Sequence, residues 1–319
     1  MESQIAPAIR TEITDLLGID YPIIQAPMGW IARSQLASAV SNAGGMGIIE
    51  TSSGELDIVR VEIAKMRDLT DRPFGVNIAQ AFVRDPGIAQ FVVDQGVKFV
   101  TTSAGDPTKY TGELKSAGLT VFHVVPTLAA ALKAIAAGVD GLVVEGGEGG
   151  GFKNPRDVST MVLLPLVCAH VNVPVVAAGG ICDGRSMAAA FALGATGVQM
   201  GTRMVSAAES PVHDNWKQAI VSAAETDTVF LNRFSKPGLR ALRTARTTRL
   251  EHEDHVSMAE FGRTADLYFG GDMEAAIALV GQVAGRIHEV QYVAAILQET
   301  VKEFVQTLAK LNKYHPSLI

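Results

Sequence analysis

The sequence is poor in three features that would each point to a class of protein. Cysteine occurs only at Cys168 and Cys182, too few for a disulfide scaffold and without a zinc-site spacing. Ordinary packing is the bland reading of both, and a reducing cytoplasm is the expected compartment. Charge is scarce at 19%, and 27 basic against 33 acidic residues leave a net charge of −6. That balance excludes a general nucleic-acid-binding surface, which needs clustered Lys and Arg. Long apolar runs are missing too. No stretch approaches the roughly 18 uncharged residues of a membrane span, and the opening MESQIAPAIRTEITDLLG carries Glu and Arg where a secretory leader needs an unbroken apolar core. With 48% apolar residues and so little charge, long disordered tails are unexpected. The expected partner is therefore a small molecule, with no nucleic acid and no membrane.

Glycine, by contrast, is abundant: 31 of 319 residues, against a usual share of roughly 7%. The length suits two ordinary domains or one α/β barrel of about 250 residues with an insertion. Short β-branched runs decide between them: PIIQA at 22–26, MGIIE at 46–50, PFGVNI at 73–78, VKFVTT at 97–102, LTVFHVV at 119–125, GLVVEGG at 141–147, PVVAAGG at 174–180 and TGVQMGT at 196–202. Segments with helical spacing, such as SQLASAVSNAG and TLAAALKAIAAG, lie between them, with Gly just past the last turn. Eight strands alternating with helices predict an α/β fold, a (β/α)8 TIM barrel. The longest connection follows the sixth strand. After Thr202 the pattern changes, and 209–272 predicts a mostly helical insertion or lid with no clear strand. The barrel would comprise 10–208 and 273–319, the latter carrying a helical region over about 273–312. A basic series, Arg233, Lys236, Arg240, Arg243, Arg246 and Arg249, recurs every three or four residues. Where helical, it would form one charged face, either solvated or receiving the phosphates of NAD(P)H or a thioester carrier.

In such a barrel the ligand lies where the strands end. Gly179 and Gly180 close the seventh strand, and Gln199, Met200, Gly201 and Thr202 close the eighth. Glycine there lets backbone N–H groups face an anion, so the pair predicts a phosphate cradle. Its ligand could be a sugar phosphate, a nucleotide or FMN. Ala26, Pro27 and Met28 at the end of the first strand suit a flat ring, and the amide of Asn77 can both donate and accept hydrogen bonds. The sixth strand runs into EGGEGGGFKN, with five glycines from Glu145 to Gly151. This reads as a flexible, ligand-closing loop.

PIIQAPMGW, ASAVSNAGGMGII, PFGVNI, EGGEGGG, LLPLV, PVVAAGGICDGR and ALGATGVQMGTR occur in this order at barrel spacing. Together they resemble the nitronate monooxygenase (2-nitropropane dioxygenase) family, related to the flavin-dependent enoyl reductases of fatty-acid synthesis. The resemblance spans about 10–205 and implies non-covalent FMN. Asn77, Gly150, Gly180 and Gln199 to Thr202 fall on the family's flavin-binding positions, with Ala26 to Met28 beside the ring. Two positions depart from the family. Glu145 stands where Gln is usual, and is expected to bond to a hydroxyl or backbone N–H. Phe152 stands where the resemblance expects a histidine, the base that removes the proton α to a nitro group. Phenylalanine cannot move a proton, so poor activity on neutral nitroalkanes is expected while preformed nitronates still react.

His123, closing the fifth strand, and Lys153, beside Phe152, are the remaining candidate catalytic groups. His170 reads as a packed or surface residue. His213, His252, His255, His288 and His315 lie outside the barrel core, and HEDH at 252–255 reads as a solvated turn, so no metal site is assigned. Three functions follow. The first is oxidation of alkyl nitronates by FMN and O2. The second is an NAD(P)H-dependent reductase acting on an α,β-unsaturated acyl thioester or a quinone, which the loss of the histidine favours. The third is a phosphate-binding barrel without redox chemistry. The apolar C-terminal helices are expected to pack on the barrel or on a second chain, so a homodimer is possible.

Overall fold

The computed structural model describes residues 7–52 and 55–314, so His315 and the ends of the chain lie outside the described residues. Eight parallel strands form the barrel: β1 (Ile23–Gln25), β2 (Gly47–Glu50), β3 (Phe74–Ala79), β4 (Phe99–Ser103), β5 (Thr120–Val125), β6 (Gly141–Glu145), β8 (Val175–Ala178) and β9 (Gly197–Met200), with β7 (Gly151–Lys153) set apart. Their order is β1-β9-β8-β6-β5-β4-β3-β2. A parallel bridge from Ile24 to Met46 brings the two edges together and all but closes the ring. The (β/α)8 architecture read from the sequence is the one observed.

Alternation along the strands divides the core in two. Ile24, Ile48, Phe99, Phe122, Val143 and Val176 fill the barrel interior, where Phe99 and Phe122 meet edge to face with centroids 5.3 Å apart. The short helix Glu12–Leu17, with its capping box at Thr11, adds Ile13 and Leu17 to that cluster. Ile13 packs against Gly197 at the start of β9, so the N-terminal end of the barrel is plugged. The outward-facing residues pack beneath the surrounding helices.

The C-terminal helix Val293–Leu311 packs Val293, Ile296, Leu297, Thr300, Val301 and Phe304 inward. It crosses the helix Gly184–Ala192 so closely that a Cβ on Gly184 would stand 2.2 Å from the backbone N of Phe304. This face therefore belongs to the barrel. The expected helical region from 273 is shorter than read: 273–281 is irregular, a single 3-10 turn spans Gln282–Arg286, and regular helix begins at Val293.

The insertion also differs from its sequence reading. Helices Asp214–Val221, Ala245–Leu250 and Thr264–Tyr268 are present, but so is an antiparallel hairpin of β10 (Thr228–Leu231) and β11 (Gly238–Leu242). The hairpin is hard to read because its strands are only four and five residues long and the second carries Arg240 at its centre. It breaks up the basic series as well. Arg240 is buried in β11, Arg233 lies over the Phe230 ring, and Arg243 and Arg246 pair with Glu251 and Glu260. No single charged helical face forms.

β11 pairs in turn with β7, placing Gly238 opposite Lys153, Leu239 opposite Phe152 and Arg240 opposite Gly151. The glycine-rich segment thus runs, at Gly151, into the third strand of a sheet. Its glycines serve close packing. A Cβ on Gly146 would stand 2.0 Å from Thr160 Oγ1, and one on Gly150 2.5 Å from the Val280 carbonyl carbon. Arg240 fixes the start of the segment, donating from Nε to the Gly147 carbonyl at 2.7 Å.

Candidate active site

The C-terminal ends of the strands open onto a cavity of about 980 Å³, roofed by β7, the hairpin and the segment 258–283. Of the twelve residues expected to hold a cofactor, Ala26, Pro27, Met28, Asn77, Glu145, Gly150, Gly179, Gly180, Gln199, Gly201 and Thr202 line it. Met200 does not. Its side chain is fully buried in the outer core, and its carbonyl accepts from Ala26 N at 2.9 Å. Strand alternation explains the exception: Gln199 faces the cavity side, so its neighbour faces away.

A flavin phosphate and ring suit this lining. Gly179 and Gly180 have φ of 85° and 80°, a backbone that L side chains rarely adopt. A Cβ on Gly180 would find no atom closer than 3.9 Å, and one on Gly201 none closer than 3.5 Å. Both glycines therefore border the cavity without being crowded by neighbouring atoms. Gln199 Oε1 is buried without a hydrogen-bond partner, a cost that a ligand N–H would remove. Asn77 donates from Nδ2 to Thr101 O at 3.1 Å and Thr101 Oγ1 at 2.9 Å, which leaves its carbonyl oxygen to accept. Thr202 is partly committed, since its hydroxyl oxygen accepts from Gly281 N at 2.8 Å.

The two departures from the resemblance take definite places. Glu145 pairs with the Lys153 ammonium, instead of the hydroxyl or backbone N–H expected. The partner was hidden because it lies eight residues on, beyond the turn into β7. Phe152 lies between two other rings, with centroids 5.2 Å from Phe82 and 5.5 Å from Phe261, the latter pair stacked at 15°. With Met258, Ile277 and Leu279 these rings make an apolar wall.

His123 lines the same cavity and is 3% exposed. Burial pushes its imidazole down to about 4, against smaller opposing effects of Asp106 and a backbone hydrogen bond with Gly105. Its Nδ1 lies 2.7 Å from Thr102 Oγ1. A neutral ring held this way carries no imidazolium proton to give near neutral pH.

His170 is exposed, with Nδ1 on the Leu166 carbonyl, while His255 contacts Ser235 at the hairpin. Among the described residues no three His, Cys, Asp or Glu side chains gather as a metal site. Within the same residues, no helix is long and apolar enough to cross a membrane.

Other contributors were not singled out in the sequence. Glu50, 1% exposed at the end of β2, accepts from the backbone N–H of Trp30 and Ser52 and pairs with Arg33. It thereby holds the loop after β1, where Trp30 has φ of 66°. The signal was available, because Glu50 closes a strand just as Asn77 does. Phe261 and Tyr268 come from the insertion and had no comparable signal. Burial, with Glu50 nearby, raises the Tyr268 phenol far above its ordinary range.

Comparison with known proteins agrees with this geometry. The family profile described as nitronate monooxygenase matches residues 10–89 and 83–303. The chain is 39% identical to the (3aS,4S,5R,7aS)-5-hydroxy-7a-methyl-1-oxo-octahydro-1H-indene-4-carboxyl-CoA dehydrogenase of Mycobacterium tuberculosis, over 76% of this chain and 69% of that protein. It is 32% identical to a nitronate monooxygenase of Paraburkholderia phytofirmans, over 69% of this chain and 73% of that one. The solved structure of FabK from Thermotoga maritima superposes with a TM-score of 0.92 at 41% identity, covering 96% of this chain and all of that one. A strand-end cradle, a ring-sized cavity and a profile match along nearly the whole barrel converge: the chain belongs to the nitronate monooxygenase family and is a flavin-dependent oxidoreductase.

Proposed function

We propose that the flavin is FMN and that the enzyme reduces an α,β-unsaturated acyl thioester at the expense of NAD(P)H. The observation that carries this reading is the wall of Phe82, Phe152 and Phe261, which offers an apolar acyl group a surface and offers a nitroalkane no base. The Mycobacterium tuberculosis relative, named for a CoA thioester of a ring carboxylic acid, supports it independently. Gly179, Gly180, Gly201 and Thr202 would seat the phosphate, and Asn77, Gln199 and Ala26 to Met28 the ring. Bound FMN supplies the two-electron chemistry. The protein's own share is orientation and exclusion of water. His123 stands at the cavity as a neutral ring held by Thr102 and Gly105, and the roof formed by β7 and the insertion keeps the acyl group dry. Of the basic series only Lys236 lines the cavity, where it is placed to meet a phosphate of the carrier or the nicotinamide nucleotide.

Oxidation of alkyl nitronates by O2 is the second reading, favoured by matches such as the Paraburkholderia phytofirmans enzyme. Anaerobic mixing of the flavin-loaded protein with NADH, NADPH or ethylnitronate separates the two. Rapid bleaching by a reduced nicotinamide, with colour restored by crotonyl-CoA, is the expected result. Bleaching by the nitronate alone would replace this reading with the second. A protein that takes up no FMN on reconstitution would return the question to a non-redox barrel.

A further inference from the structure

Reduction of a carbon–carbon double bond needs a proton as well as a hydride, and few groups on this cavity can give one. His123 is neutral and tied to Thr102 and Gly105. The Tyr268 phenol holds its proton tightly because it is buried. Both carboxylate oxygens of Glu148 accept from the Thr160 backbone N–H. At the rim, Lys133 is half exposed and paired with Asp106 at 2.7 Å, and Lys236 is exposed in the hairpin turn.

Lys153 is different. Its side chain is 4% exposed, and its one ion-pair partner is Glu145, itself 27% exposed at the end of β6. The pair is built into the fold. Lys153 is fixed by its register against Gly238, and Gly149 leaves room for both head groups, since a Cβ there would stand 2.8 Å from each of Glu145 Oε1 and Lys153 Nζ. A buried ion pair of this kind is weak evidence for stability. Here both members face the space that holds the substrate.

We propose that Lys153, its charge balanced by Glu145, is the acid that protonates the α-carbon of the acyl thioester, and the base that removes that proton in reverse. This rests on the acyl-thioester reading above. As hydride reaches the β-carbon, the π pair moves to the α-carbon and the thioester oxygen. The Lys153 N–H bond then breaks as the α-carbon C–H bond forms. The electrons come from the reduced nicotinamide. The neutral amine left behind regains a proton from water through the partly open Glu145 side. Glu145 is a positioning and charge-balancing residue, not the donor.

The test follows solvent exchange at the α-carbon, so it does not depend on turnover. Oxidised, flavin-loaded enzyme is incubated with butyryl-CoA in D2O without nicotinamide, and NMR reads deuterium at C2. Wild type is expected to exchange, and K153M to exchange at least ~10²-fold more slowly, the usual worth of a positioned acid–base group. K153R keeps the cation but not a transferable proton. It is expected to retain the KM for crotonyl-CoA while losing kcat and exchange, and it carries the test alone if K153M does not fold or loses flavin. E145Q removes the carboxylate that positions the ammonium, and is expected to slow exchange at C2 while retaining the KM for crotonyl-CoA, with E145D restoring part of the rate. A wild type that reduces crotonyl-CoA, alongside K153M or K153R variants that exchange as fast as it does, would overturn the role of Lys153 alone. A wild type inert to both thioesters would overturn the acyl-thioester reading, and this inference with it.

Discussion

Replacing Phe152 by histidine tests whether this position is a wall or a missing catalytic group. Phe152 contacts Phe82 and Phe261 at centroid distances of 5.2 and 5.5 Å, and aromatic pairs at such distances contribute about 0.5–1.5 kcal/mol each beyond their buried area. Imidazole keeps part of both contacts, so the expected loss is about 1–2 kcal/mol. That is a fall of roughly 1.5–3 °C in Tm for a chain of this size, which leaves the fold intact. The chemical gain is larger. A base able to take the proton α to a nitro group is worth about 10²–10⁴ in rate, and an apolar setting keeps the imidazole neutral and ready to accept. Stopped-flow bleaching of the flavin by neutral nitroethane, without oxygen, is therefore expected to accelerate at least ~10²-fold in F152H, while the rate with ethylnitronate changes little. An unchanged nitroethane rate in a folded, flavin-loaded variant would refute the reasoning. So would a wild type that already consumes nitroethane as fast as ethylnitronate.

Three further outcomes are expected. Gly150→Ala puts a Cβ 2.5 Å from the Val280 carbonyl carbon, in a segment tied down by Gly281 N on Thr202 and Gln282 N on Glu148. Overpacking of this kind costs about 1–3 kcal/mol, and a thermal melt equal to wild type would show that the glycine is there for mobility. Arg240→Met removes the hydrogen bond to the Gly147 carbonyl, worth about 1.5–3 kcal/mol for a charged donor; the urea midpoint should fall and flavin dissociate more readily, and an unchanged midpoint counts against the clamp. His123 is held neutral with its imidazole at about 4, so between the ordinary value near 6.5 and that lower one the unfolded chain binds a proton that the folded chain refuses. Stability is full above about pH 6.5 and falls by about 3 kcal/mol toward pH 4, a slope that His123→Gln should flatten; parallel denaturation curves for the two proteins from pH 7 to 4.5 would sink this account.

The barrel was legible because each strand carried its own signal. The runs from PIIQA to TGVQMGT coincide with β1 to β6, β8 and β9 to within about two residues at each end, since a β-branched run bounded by Gly, Pro or Asp can do little but form a buried strand. The site residues on those strands were legible for the same reason, because position along a parallel strand fixes which end meets the ligand. The hairpin of β10 and β11 was not. Its register is set by pairing with β7 from a distant part of the chain, and its one buried Arg, at 240, looks in sequence like the five other basic residues of the series.

The same limit bears on the glycine-rich segment. Seen alone, five glycines in seven residues mean low steric restriction, and freedom of motion is the natural inference. Once Val280, Gly281, Thr160 and Asp157 are in place, three of those glycines, Gly146, Gly147 and Gly150, are where backbone and side chains approach too closely for a Cβ. The residues that end the segment are then held by a sheet: Phe152 against two other rings, Lys153 against Glu145. A rigid strand can aim a side chain at a bound atom, which a mobile loop does only after it closes. Glu145 and Phe152 therefore look like separate departures only in one dimension. In the folded chain, the carboxylate at the end of β6 and the lysine just past Phe152 form a single ion pair facing the cavity.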